Sequence, residues 1–320
     1  MGTRARLSRD ARLRLSVVSA RDETICVGGA RAVERLSARD RASSSSMSVG
    51  ILLNVIVPHA PILISALGGE PTPEAVPLVS AIGRLAQGIA RLNPETIILA
   101  TPHAPIAVDA FGLHVGDVLR GSFAHYGHPA LGVRFENDLA LVDEIVSEVF
   151  EQRMKIFEIP EGTPLDHGAL VPLYFLWEAG WRGRVVVLGS SYLPDRDHVS
   201  YGRCVERAAR ALGRRVVFIG SANLSHRLSA LAPSGYHPRA YEFDREIVSS
   251  LEDGDFARLS RIAPELRVLA LECGHRPILI AVGAAGEVPV RHRVLSYTSL
   301  FGVGYVVAIL ADHSPEDQVP

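Results

Sequence analysis

Cysteine is scarce in this chain of 320 residues: Cys26, Cys204 and Cys273 are too few and too scattered for a disulfide framework or a thiolate metal cluster. A reducing, cytoplasmic setting is the expectation that follows. Excess charge of one sign is also missing. The formal net charge is −2, which gives no reason to expect nucleic acid or an anionic membrane as partner. No apolar run approaches the length of a membrane span, and Val303 to Leu310 is a strand-sized piece. Phosphate loops are absent too: there is no Walker sequence, and Gly302-Val303-Gly304 does not lead into a helix with the right glycine. What remains, 48% hydrophobic and 21% charged residues, suits a globular enzyme with a sizeable core.

The first 46 residues differ from everything after them. They hold ten Arg and five acids, end in Arg41-Ala42-Ser43-Ser44-Ser45-Ser46 and show no sustained apolar period. Leu13 to Val18 is too short for the apolar centre of a secretory signal, and Asp10, Asp22, Glu23 and Glu34 argue against a transit peptide. Residues 1–46 are therefore expected to be a disordered or mis-started leader, 47–313 one domain, and 314–320 a tail.

Two stretches organise that domain. Val55-Ile56-Val57-Pro58-His59-Ala60-Pro61 is an apolar, β-branched run that stops at a Pro-His-Ala-Pro turn. About forty residues on, Thr96-Ile97-Ile98-Leu99-Ala100-Thr101-Pro102-His103-Ala104-Pro105 repeats the device. Both runs read as short strands buried on both faces, of the parallel-sheet kind. Proline on either side of each histidine restricts the backbone and holds the imidazole on a stiff bend. In open α/β sheets ligands bind at the carboxyl ends of the strands, so His59 and His103 could share a metal there.

Between the two strands Leu78, Ile82, Leu85, Ile89 and Leu92 recur at helical spacing, which predicts a helix over about 74–92. Strand, helix and strand in that order imply a right-handed crossover and parallel pairing. Residues 106–134 read as short strand-like pieces and a Gly/His-rich loop from Gly121 to Pro129. Helices are predicted after Asn137, from Ala169, through Tyr201 to Leu212, and around Phe243 to Leu251. Further strands are predicted over 184–188 and 215–220. Pro277 to Ala285 is ambiguous between strand and helix, with Pro277 favouring helix. Two late strands flank Gly302. Alternating elements mean an α/β fold with a mainly parallel or mixed sheet.

Polar residues gather in the loops after the strands: His59, His103, Asp166-His167, Ser225-His226 and Glu272. Two imidazoles and one carboxylate with open positions is the facial triad of non-haem Fe(II), although Zn²⁺ accepts the same donors. Glu272 closes the apolar run Val268-Leu269-Ala270-Leu271, where an unpaired charge is costly to bury and a metal would compensate it. Cys273 beside it reads as a small buried apolar residue.

The two Pro-His-Ala-Pro turns, Leu165-Asp166-His167-Gly168, Gly220-Ser221-Ala222-Asn223-Leu224-Ser225-His226 and Glu272-Cys273-Gly274-His275-Arg276-Pro277 fall in one order. That ordered set, over about residues 50–310, resembles the class III extradiol ring-cleavage dioxygenases, the LigB-like family of the catalytic subunit of protocatechuate 4,5-dioxygenase. The resemblance implies a single three-layer α/β/α domain with a mixed, largely parallel sheet. It implies Fe(II) held by His59, His103 and Glu272, His226 as acid/base, and His167 lining the pocket. The implied reaction inserts O₂ into a catechol-type ring and opens it beside the diol, with a catechol and O₂ as the small-molecule partners. Some family members need a small helical partner subunit, so the chain either acts alone as a homo-oligomer or borrows one. The Cys-Gly-x-x-Pro run after Glu272 also resembles the Memo proteins, which implies as the alternative a metal- or peptide-binding protein on the same fold without ring cleavage. Ring opening by this triad requires Glu272 to reach the cleft between His59 and His103.

Overall fold

In the computed structural model the described residues are 50–232, 234–286, 290–315 and 319. The leader expected over residues 1–46 lies outside them, as does most of the 314–320 tail. Among the described residues there are ten strands: β1 (Ile51–Val57), β2 (Thr96–Thr101), β3 (Phe111–His114), β4 (Val118–Phe123), β5 (His128–Glu136), β6 (Ile156–Ile159), β7 (Arg184–Gly189), β8 (Val216–Ser221), β9 (Arg293–Leu300) and β10 (Val303–Asp312). The α-helices are α1 (Ser65–Gly68), α2 (Val76–Leu92), α3 (Leu139–Glu151), α4 (His167–Glu178), α5 (Asp195–Ala211), α6 (Ala240–Asp253), α7 (Phe256–Leu259), α8 (Pro264–Ala270) and α9 (His275–Ala285).

Eight strands form one mixed sheet in the order β6-β3-β7-β2-β8-β1-β10-β9, and β4 pairs with β5 in a separate hairpin. The central strands β7, β2, β8 and β1 run parallel. β10 joins β1 antiparallel, and β9 joins β10 antiparallel. β2, β8 and β10 are buried along their whole length, which is why their sequences are continuous apolar runs rather than alternating ones. One apolar cluster packs α3, α5, α6 and α9 on one face of the sheet. The other packs α2 and α4 on the opposite face. The result is the expected α/β/α layering.

Local chemistry explains the boundaries. In α2 the predicted stripe Leu78, Ile82, Leu85, Ile89 and Leu92 is buried, and the helix stops where Asn93 takes a left-handed conformation (φ 47°) ahead of Pro94. α4 starts where Asp166 accepts the backbone amides of Gly168 and Ala169 at 2.8 and 3.2 Å. α9 is buried on every side except at Arg276, so it carries no amphipathic period and reads equally well as a strand. The Gly121–Pro129 stretch, expected to be a loop, is instead the end of β4, a single 3₁₀ turn at Ala124–Tyr126 and the start of β5. Among the described residues no helix is long and apolar enough to cross a membrane.

Candidate metal centre

β1, β2 and β8 lie side by side, and all three end at the same edge of the sheet. The loops that leave them therefore meet. β1 delivers His59, β2 delivers His103, and the segment after β8 delivers Asn223 and His226. α4 brings His167 to the same edge, and the turn between α8 and α9 brings Cys273.

His59 is fully buried. Its backbone amide donates to Asn223 Oδ1 at 3.0 Å, and its Nδ1 lies 2.9 Å from Ser221 Oγ. Ser221 Oγ donates its own hydrogen to the Gly168 carbonyl at 2.5 Å, so towards His59 it can only accept. Nδ1 therefore carries the proton, and Nε2 presents a lone pair to the cleft. A hydrogen bond of this kind fixes both tautomer and ring orientation in metal-binding histidines.

The His59 Nε2 lone pair faces two further donors. His103 Nε2 is 3.2 Å away and Cys273 Sγ is 3.4 Å away. One ligand atom from each of His59, His103 and Cys273 lies within 4.8 Å of the others. His167 stacks on His103 with ring centroids 4.2 Å apart and stands 5.6 Å from His59. Gly168 makes that approach possible, because a Cβ there would run into Thr101 Oγ1 and crowd the His103 ring. Thr101 Oγ1 in turn receives the His103 amide at 3.3 Å and donates to Asp166 Oδ1 at 2.6 Å.

Electrostatics keep the cluster neutral. Burial lowers the His59 imidazole well below its ordinary range, and the neighbouring His103, His167 and His226 add to the effect. Burial, with His167 and His226, brings His103 down to about 4. Both rings are thus unprotonated at neutral pH and available as ligands. Burial pushes the Cys273 thiol up to about 12, with the Glu272 charge adding to it. The donor chemistry fits a single transition-metal ion: two neutral imidazoles and a thiol that a cation would deprotonate.

Glu272 is not part of this cluster. Its Oε2 accepts the His275 amide at 2.7 Å, which holds the first turn of α9, and Oε1 faces Arg267 Nε at 3.5 Å. Arg267 also holds Asp195 through both carboxylate oxygens at 2.9 Å. The carboxylate is turned into an ion network between α5, α8 and α9, and Cys273 stands where the carboxylate ligand was expected. The reason is local. Leu271 adopts a left-handed conformation (φ 50°) after α8, and of the next two side chains Glu272 faces Arg267 and the His275 amide while Cys273 faces His59. Cys273, expected to be a small buried apolar residue, places its Sγ 3.4 Å from His59 Nε2.

His226 is half-buried and close enough that a proton on it disfavours one on His59 or His103. Its Nδ1 is buried, and the backbone carbonyls of Leu271 and Leu224 lie against the ring and favour its protonated form. Burial lowers its ring below the ordinary imidazole range, so it is a proton acceptor at neutral pH. On the far side Tyr126, at the tip of the β4–β5 hairpin, places its ring 6.5 Å from His167. Ser221, Asn223 and Tyr126 were not singled out from the sequence. The echo of Ser and Asn in Gly220-Ser221-Ala222-Asn223 was the available signal.

Comparison with known proteins agrees with this architecture. Protein CA_C1420 of Clostridium acetobutylicum is 29% identical over 260 residues, which are 79% of this chain and 56% of that protein. The chain thus spans little more than half the length of that relative. The crystal structure of the uncharacterized protein JW3007 from Escherichia coli K12 has the same fold, with a TM-score of 0.53 at 17% identity over 80% of this chain and 98% of that one. The family model of the catalytic LigB subunit of aromatic ring-opening dioxygenase matches residues 53–308, a span that contains every cleft residue described above, and the chain belongs to that family.

Proposed function

We propose that this chain is a metal-dependent oxidoreductase that holds one transition-metal ion on His59 Nε2, His103 Nε2 and Cys273 Sγ and acts on a small aromatic diol. The observation that carries this reading is the convergence of those three donor atoms within 4.8 Å. In charge the set matches two imidazoles and a carboxylate, because a bound thiolate also supplies one negative charge. In softness it differs, and iron, zinc and copper all accept it. The finer form of the reading is ferrous iron with a catechol and O₂, on the family's ring-opening chemistry.

A bound ion would act as a Lewis acid towards a diol hydroxyl and, if redox-active, as the electron path between the diol and O₂. The chain's own residues do the rest. Ser221 holds the His59 ring in its ligand tautomer. His226, neutral because burial lowers its ring below the ordinary imidazole range, takes a proton from the substrate hydroxyl and returns it later in the cycle. The imidazole of His167 and the phenol ring of Tyr126 form the aromatic wall against which a planar substrate rests.

A second reading, metal binding without ring cleavage, is favoured by one observation: Glu272 faces Arg267 and the α9 amide instead of the cleft. Anaerobic loading with Fe(II), metal analysis, and O₂ uptake with a panel of catechols separate the two. Iron retention with O₂ consumption and a ring-opened product supports the enzyme. Iron retention without O₂ uptake supports the second reading. Failure of the wild-type protein to hold any metal overturns both.

A further inference from the structure

Asp244 lies on α6, outside the metal cluster, and is 1% exposed. Its two oxygens are divided between two donors. Oδ1 accepts the Ser225 backbone amide at 2.9 Å, and Oδ2 accepts the Tyr297 phenol at 2.9 Å. Gly304 on β10 presses its backbone against Oδ2 so closely that a side chain there would collide with the carboxylate. Among the described residues no Lys or Arg pairs with Asp244. The titratable group that faces it is Tyr297 from β9, while β10 offers Gly304 and the segment after β8 offers the Ser225 amide. A carboxylate this buried and held by neutral donors alone has a cost that calls for a use.

Ser225 immediately precedes His226. The segment is tied to β10 by Leu224 N to Gly304 O and Gly304 N to Ser225 O, both at 2.8 Å. It is tied to the end of α8 by His226 N to Ala270 O at 2.9 Å and Ser225 Oγ to Ala270 O at 3.3 Å. Of these anchors and the Asp244 bond, only the last ends on an ionisable group. We propose that Asp244 is the positioning residue for His226, fixing the loop and aiming the imidazole at the cleft while its carboxylate is ionised and relaxing the loop when it takes a proton. The proposal rests on the reading of His226 as proton acceptor, although its test does not.

Burial pushes the Asp244 carboxyl up to about 7, against the pull of the Ser225 and Tyr297 hydrogen bonds. The neutral carboxyl loses acceptor capacity for the two donors, so the loop is fixed above that pH and loosened below it. Tyr297 supplies a bond that favours the ionised form, and removing its hydroxyl moves the transition to higher pH.

The test is an NMR titration of the full-length, zinc-loaded protein, following the Ser225 and His226 amides and the His226 ring from pH 5.5 to 9. Wild type shows one shared transition near pH 7. Tyr297→Phe, at a side chain 41% exposed, moves it upward by about one pH unit. Asp244→Asn abolishes it, and should that variant fail to fold, Tyr297→Phe still decides. A Ser225 amide that does not titrate, an unmoved midpoint in Tyr297→Phe, or a transition that persists in folded Asp244→Asn overturns the proposal. If the transitions behave as expected while His226→Ala keeps full turnover, the role of His226 as proton acceptor fails and the Asp244 switch stands.

Discussion

His59 and His103 leave the sheet on the same tetrapeptide, from strands separated only by β8, yet they end in opposite surroundings. His59 is sealed, with its amide on Asn223 and its Nδ1 on Ser221. His103 opens to solvent on one side and leans on His167. The four shared residues set the bend of the backbone. Protonation, tautomer and exposure are set by neighbours more than 40 residues away in sequence. Under the proposed function, one turn would therefore supply a rigid anchor for the metal and the other an adjustable ligand.

The sharpest way to break that pairing is to remove each ring in turn. His59→Ala abolishes metal retention and also lowers folding stability by about 2–3 kcal/mol, since it empties a fully buried, hydrogen-bonded site. His103→Ala abolishes retention too, but its stability stays within about 1 kcal/mol of wild type. Metal analysis with denaturant unfolding of both variants distinguishes them, and equal stability losses would contradict the comparison.

Ser221→Ala gives a smaller effect. It leaves the His59 Nδ1 proton without its acceptor and frees the ring to take the wrong tautomer, at a cost of about 10–100-fold in metal affinity measured by competition with a chelator. The pH dependence of binding is gentler still. Burial keeps both imidazoles unprotonated near neutrality, so the proton displaced by a metal comes from Cys273, whose thiol burial holds at about 12. Loss of one proton on binding means that the dissociation constant falls about tenfold for each unit of rising pH between 6 and 9. A flat profile would remove the thiol from the ligand set. The smallest metal effect belongs to Glu272→Gln. Its amide oxygen can still accept from His275, so metal affinity changes less than about threefold while stability drops by about 1–2 kcal/mol as Arg267 loses one of its two carboxylates.

The same contrast shows what a sequence discloses. β1, β2 and the crossover helix α2 were legible because a strand buried on both faces and a helix buried on one leave unmistakable patterns in the order of apolar residues. α9 was not, since a segment enclosed almost all round erases its own period. The β4–β5 hairpin was read as a loop because only Leu119, Phe123, Val133 and Phe135 are buried, spread over two strands and interrupted by Gly and Arg. In the cleft, the repeated Pro-His-Ala-Pro marked His59 and His103, and family resemblance marked His167 and His226; the fold brings all four together. The sequence reading took Glu272 over Cys273, whereas Cys273 is the one whose side chain lies against His59. Glu272 and Cys273 point apart after Leu271, and nothing in their order says which one faces the cleft.

The central claim is that a thiolate and two imidazoles form the binding set. X-ray absorption at the metal edge of the zinc-loaded wild-type protein and of Cys273→Ser tests it most directly. The account predicts one sulfur neighbour at about 2.3 Å and two nitrogens at about 2.0–2.1 Å in wild type, with the sulfur lost in the variant. A shell of nitrogen and oxygen alone in wild type, with one oxygen lost in Glu272→Gln, would contradict it.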